Sequence, residues 1–228
     1  MKQIEIRGVI VPNDDLWIYD WFGVTATAPQ SVRKALDEAG GDAVEVLINS
    51  NGGDVMAGNE IFTILRGYNG KVLIKIQSFA ASAAAVIAMA GESEMSPVAQ
   101  LMIHNVSART SGDNRDMEHA AEVLENANKA IASAFVAKTG KSEAEILEMM
   151  NRETWFTAEQ AVKEGFVDRV MFSDSQTFGN PVQLAASSGS GLLHPNVIAY
   201  AKTHFNQQNA KAKADAEYEF LLLEGKIK

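Results

Sequence analysis

Apolar and polar residues change their spacing several times along this chain, and each change marks an element. Ile4-Glu5-Ile6-Arg7-Gly8-Val9-Ile10 alternates with period two, the pattern of a half-buried strand. Over 29–39 the apolar positions Val32, Ala35, Leu36 and Ala39 fall at helical spacing instead; Pro29 suits a helix start, and Gly40-Gly41 ends the run. Residues 44–48 read as a buried strand, Asn49-Ser50-Asn51-Gly52-Gly53-Asp54 as a glycine turn, and 56–65 as a helix. A strand over 72–77, a small-residue helix over 83–90 and a strand over 101–103 follow. Strands alternating with crossover helices predict an α/β layered fold with largely parallel strands. A long helix over 113–139 places Ala120, Val123, Leu124, Ala127, Ile131 and Phe135 along one face, and Gly140 stops it. Polar, strand-compatible residues 105–112 lead into it. Ser142 with Glu145 three residues on predicts a capped helix over 142–150.

After Phe172 the pattern dissolves. Residues 173–195 are rich in Ser, Gly, Asn and Gln, and Ala185-Ala186-Ser187-Ser188-Gly189-Ser190-Gly191 has the composition of a flexible linker. Residues 196–228 are polar with helical character and carry Leu221-Leu222-Leu223. The division expected is a folded domain over 1–172, a linker over 173–195 and a separable helical tail over 196–228 for targeting or scaffolding.

Composition narrows the chemistry. The 228 residues are 46% hydrophobic and 21% charged, enough to bury a proper core. The net charge of −9 argues against nucleic acid or an anionic membrane as partner. Without cysteine there is no thiolate nucleophile and no disulfide. His104, His119, His194 and His204 are scattered, with no metal-ligand spacing among them, so no metal or other cofactor is expected. The longest apolar stretch, 79–90, is too short to span a bilayer. Acid in Met1-Lys2-Gln3-Ile4-Glu5-Ile6 breaks the apolar core that a signal peptide needs, so the expected setting is cytoplasmic.

Against that background three segments carry chemistry. Ser82 is a lone hydroxyl in Ser78-Phe79-Ala80-Ala81-Ser82-Ala83-Ala84-Ala85, where a strand gives way to a buried helix. Gly52 and Gly53 end a second strand, and Leu101-Met102-Ile103-His104 ends a third in a histidine. A serine hydroxyl becomes a nucleophile when a base takes its proton and N–H donors await the oxyanion. Ser82 at a helix mouth, His104 as base, and the N–H groups of Gly53 and Ala83 as donors would supply those parts. Alone, Ser82 reads as a small residue in a tight helix–strand contact, and His104 as a packed strand end. Their order and spacing give the chemical reading its weight.

Asn49 to Val55, Ala80-Ala81-Ser82, Met102-Ile103-His104, Thr157-Ala158-Glu159-Gln160-Ala161 and Glu164-Gly165-Phe166-Val167-Asp168 resemble the Clp protease proteolytic subunit family, ClpP, within the wider ClpP/crotonase fold. The resemblance runs over about 4–170 and is closest to the ClpP-like proteases of tailed phages and prophages that act in head maturation. It implies a layered fold of βα repeats with a protruding handle, homo-oligomeric rings, and a serine endopeptidase, ATP-independent or fed by a Clp-type ATPase. Its substrates would be proteins or peptides, capsid and scaffold proteins among them, in the host cytoplasm or a prohead. Carried onto matching positions, Ser82 is the nucleophile and His104 the base.

The third position departs from the family. Where ClpP has an aspartate, the register Asn151-Arg152-Glu153-Thr154-Trp155-Phe156-Thr157-Ala158 gives Glu153, whose extra methylene changes its reach. A glutamate can orient a histidine, and the other reading of Glu153 is a surface carboxylate at a helix end. Asp113 and Asp116 fall in the expected handle. Ala84 replaces the family's glycine two residues after the nucleophile. Two other functions compete: a structural ring or scaffold of a capsid, and a non-proteolytic acyl-CoA enzyme of the crotonase branch. The second normally carries carboxylates where Ser82 stands.

Overall fold

A computed structural model describes residues 1–172 and 193–203. The elements run β1 (Lys2–Ile10), α1 (Leu16–Trp21), β2 (Ala26–Thr27), α2 (Pro29–Ala39), β3 (Val44–Gly53), α3 (Val55–Arg66), β4 (Val72–Ala81), α4 (Ala83–Ala88) and β5 (Glu92–Met95). Then come β6 (Gln100–Ile103), α5 (Asn114–Thr139), α6 (Glu143–Asn151), β7 (Thr154–Thr157), α7 (Ala158–Lys163) and β8 (Arg169–Val170). The main path of the sheet is β2-β1-β3-β4-β5-β8, parallel throughout. On the edge away from β3, β4 serves two partners. Leu73 to Ile76 pair with β5, and Phe79 to Ala81 pair with β6, which carries β7 antiparallel on its far side.

The helices cover one face, where Ile4, Ile6, Val46, Ile48, Ile74 and Ile76 meet Val32, Leu36, Ile61, Leu65, Val86 and Phe135 in one core. Each such large side chain gains about 1.5–3 kcal/mol on full burial. The opposite face departs from the rule that parallel sheets are covered on both sides. There Glu45, Lys75, Glu94 and Arg169 form a ladder of ion pairs across four strands, with Lys75 at 2.6 Å from Glu45 and 3.4 Å from Glu94. The carboxylate of Glu45 is held below its ordinary range by its bond to Lys75.

Several expectations change. Residues 105–112, strand-compatible in sequence, form no strand and pair with none among the described residues. The short helix stops at Ala88 rather than residue 90. Along α5, Ile131 and Phe135 are buried in the core, whereas Val123 is half exposed and residues 114–119 are exposed. The C-terminal half of α5 is thus core, and its N-terminal half is the projecting handle. Asp113 and Asp116 sit at its tip in a capping box, and Ser142 and Thr157 cap α6 and α7 in the same way.

A second, smaller core joins Val9, Val11, Ile18, Tyr19 and Ala28, and part of the tail packs on it. Residues 195–203 are helical; Ala201 is fully buried, with Leu193 and Ile198 packed alongside. The Leu193 N–H donates to the Tyr19 hydroxyl at 3.2 Å, and Lys202 pairs with Asp15. Burial raises the pKa of that hydroxyl. α1 carries an aromatic run: Trp17 stacks on Trp21, and Phe22, just past the helix end, lies against Trp21. The linker residues 185–191 and Leu221-Leu222-Leu223 lie outside the described residues. Among the described residues no helix is long and apolar enough to cross a membrane.

Candidate active site

Ser82 lies between β4 and α4 with φ 57 and ψ −123. Non-glycine residues held in such a region cost about 1–3 kcal/mol, and the surroundings must impose it. Here they do so through backbone bonds. The Ser82 N–H donates to the Met102 carbonyl at 3.0 Å, and the Ser82 carbonyl accepts from the Ala85 N–H at 3.0 Å. A serine at a helix N-cap usually turns its hydroxyl onto the helix. Ser82 makes no such cap. Its Oγ points instead to His104, with Nε2 at 2.8 Å.

Register brings the two together. Ala81 pairs with Met102 in the parallel β4–β6 ladder, so the residues just beyond that pair emerge at the same carboxyl end of the sheet. The glycine turn arrives there too, at the end of β3. Gly52 has φ 90, and a Cβ on it would lie 2.6 Å from the Ala81 oxygen and 2.8 Å from the Ser82 Cβ. What Gly52 approaches so closely is the serine turn itself. A Cβ on Gly53 would lie 2.2 Å from the Ile10 oxygen. The Ser50 hydroxyl fixes the turn by accepting from the Gly52 N–H at 3.0 Å and donating to the Gly8 carbonyl at 2.6 Å. The Asp54 N–H donates to Ile10, while the Asp54 carboxylate accepts from the Ala57 N–H and caps α3.

Glu153 is placed differently. It is exposed, has φ 51, and accepts at Oε1 from the Trp155 indole N–H at 3.1 Å. Among the described residues no hydrogen bond joins it to His104, whose side-chain bond is the one to Ser82. Three asparagine side chains that sequence reasoning missed tie the two residues after the candidate base to their surroundings. Asn105 Nδ2 donates to Asn151 Oδ1 at 2.7 Å, linking the end of β6 to the end of α6. The Val106 N–H donates to Asn128 Oδ1 at 2.7 Å, linking the same segment to α5. Asparagines directly after a candidate base and shortly before a candidate third member were a visible signal. Among the described residues no cluster of three or more His, Cys, Asp or Glu could hold a metal.

A serine in a strained strand-to-helix turn, bonded to a histidine, can be activated as a nucleophile by that base. A model of the Clp protease family matches residues 34–174. The chain belongs to the Clp protease family. The ATP-dependent Clp protease proteolytic subunit 1 of Streptomyces avermitilis is 39% identical over 133 residues, 57% of this chain and 61% of that protein. Proteolytic subunit 2 of Rhodococcus jostii is 32% identical over 139 residues, 60% of this chain and 71% of that protein. Among solved structures, a ClpP1 mutant of Listeria monocytogenes superposes with a TM-score of 0.62 at 23% identity, over 75% of this chain and 91% of that one. That likeness shows the family's fold here, with β7, α7 and β8 closing the sheet after the handle.

Proposed function

We propose that this protein is a serine endopeptidase that cleaves peptide bonds through an acyl-enzyme, and the 2.8 Å contact between Ser82 Oγ and His104 Nε2 carries that reading. His104 takes the hydroxyl proton as Ser82 attacks the scissile carbonyl, then delivers it to the leaving amine. The acyl-enzyme is released by a water that His104 deprotonates in turn. Two N–H groups suit the oxyanion. That of Ala83 is the first in α4 and has no intrahelical partner. That of Gly53 stands between two neighbours whose N–H groups are taken by Ser50 and Ile10. Glu153 is the orienting carboxylate, by its match to the family position.

Assembly into rings, feeding by a Clp-type ATPase and a role in capsid maturation belong to the same proposal. The first two rest on the named relatives and the projecting handle, and the third on the motif spacing alone. Labelling with a fluorophosphonate probe and mass mapping of the modified peptide test the core of it. Labelling at Ser82 that His104→Ala abolishes is the expected result, and labelling elsewhere or none removes it. Co-expression with capsid proteins, with the new chain ends mapped by mass, tests the substrate class.

A further inference from the structure

The β6–β7 ladder pairs Gln100 with Thr157, Leu101 with Phe156, Met102 with Trp155 and Ile103 with Thr154. One more step of that register sets His104 against Glu153. Side chains two apart on a strand share a face, so His104, Met102, Glu153 and Trp155 belong to one side of this ribbon. Glu153 leaves the strand at φ 51, and its carboxylate bonds to the indole N–H of Trp155. The indole is a well-held donor: its ring packs on Phe79 with centroids 5.6 Å apart, and its backbone sits in the ladder opposite Met102. The imidazole is bonded through Nε2 to Ser82, and among the described residues no carboxylate bonds to its other nitrogen. Two potential donors therefore compete for one carboxylate, and the indole has it.

We propose that Trp155 is a positioning residue that latches Glu153 away from His104 in the resting protein, so that full activity requires the carboxylate to exchange from the indole N–H to His104 Nδ1. The proposal rests on the serine-peptidase reading and adds to it a control over when the histidine is polarised. The neighbouring cation is Arg152, whose Nε lies 3.4 Å from Thr154 Oγ1. It is common to every variant below and drops out of their comparison.

Trp155→Phe keeps a ring against Phe79 and removes only the donor. With the full chain, the rate of fluorophosphonate labelling at Ser82 is measured from pH 5 to 9 for wild type, Trp155→Phe, Glu153→Gln and the double variant. Trp155→Phe is expected to label about tenfold faster at pH 8, the factor of one charge-assisted hydrogen bond redirected. Its acid limb should move to higher pH, because a carboxylate on Nδ1 favours the imidazolium. In the Glu153→Gln background the same change should do nothing. Trp155→Met, also without a donor, should reproduce the gain if thermal melting shows that Trp155→Phe is misfolded. Wild-type labelling that neither variant accelerates overturns the latch alone, as does an acceleration that survives Glu153→Gln. No labelling of any folded variant at any pH removes the peptidase reading and the latch with it.

Discussion

The two halves of the candidate site are built to different standards. Ser82 and His104 sit at the carboxyl ends of two strands in parallel register, joined by a backbone bond from Ser82 to Met102 and screened by the small buried residues of α4. Glu153 sits at the exposed start of a four-residue antiparallel strand and is held by one side-chain bond to Trp155. The first half is dictated by the same ladder that makes the fold, so it cannot move without unpairing strands. The second depends on one hydrogen bond between exposed or half-buried side chains. On the proposed peptidase reading, the difference separates nucleophile activation, set by the ladder, from histidine orientation, set by a single side-chain contact.

Removing the hydroxyl tests the rigid half most directly. On the proposed peptidase reading, Ser82→Ala should keep the fold and lose roughly four or more orders of magnitude in proteolysis. Wild-type turnover in a folded Ser82→Ala protein would mean that the strained turn serves something else. Next in size is Gly52→Ala. Its methyl would meet the Ala81 oxygen and the Ser82 Cβ at distances no real contact tolerates, on backbone already at φ 90. The turn must shift by a good part of an ångström, which costs on the order of a hundredfold in labelling rate. A fully active Gly52→Ala protein would show that the serine turn is not as fixed as its packing implies.

Sequence reading reached the rigid half because its signals are local. A strand running into Ala-Ala-Ser-Ala-Ala-Ala, a strand closing on His104 and a strand closing on Gly52-Gly53 are each legible within ten residues. The Glu153 half was not legible in the same way. Thr154-Trp155-Phe156-Thr157 becomes a strand only because β6 lies beside it, and no local pattern announces that partner. Residues 105–112 show the converse: strand-compatible residues that pair with no strand among the described residues. On α5 the apolar stripe was read correctly, but whether Val123 or Phe135 meets the core depends on where the helix leaves the body of the molecule.

The tail bears on the expected division of the chain. Ile198 and Ala201 of the tail expected to be separable over 196–228, with Leu193 of the preceding linker, pack on the small core around Tyr19. That core lies beside the glycine turn, since Val9 pairs with Gly52 and Ile10 with Gly53. A chain ending at Phe172 should therefore lose about 2 kcal/mol of burial, a fall of about 4–8 °C in melting midpoint for a domain of this size. Truncation at residue 203 should lose far less. Equal melting of the two truncated chains would show that the contact adds nothing and restore the separable tail.

Glu153→Gln probes the second half and should be milder than Ser82→Ala. An amide can still accept from the indole, but it cannot stabilise an imidazolium. The loss expected in peptide turnover is about tenfold, well short of the loss seen when a buried triad carboxylate is neutralised. A drop as large as that of Ser82→Ala would mean that Glu153 is bound to His104 throughout and that the two halves are equally fixed.

The smallest effect concerns the anchor behind the rigid half. Asp168 accepts from the Ser93 N–H at 2.7 Å and pairs with Lys138 at 2.5 Å, joining the base of the handle to β5. Burial pushes its carboxyl up, but Lys138 and the Ser93 donors outweigh that and hold it below the ordinary carboxylate value. A carboxyl depressed on folding contributes stability that is complete above the unfolded value, about pH 4, and that disappears as pH falls through the lower folded one. Asp168→Asn keeps an acceptor for Ser93 and removes the charge. It should cost about 1 kcal/mol at pH 7, a modest figure because the carboxylate is partly in water. The gap between wild type and variant should then close as the pH drops below about 4. If the two melting curves stay parallel down to acid, the anchor is held by the hydrogen bonds to Ser93 and not by the charge of Lys138. In that case the rigid half owes its fixity to backbone pairing alone.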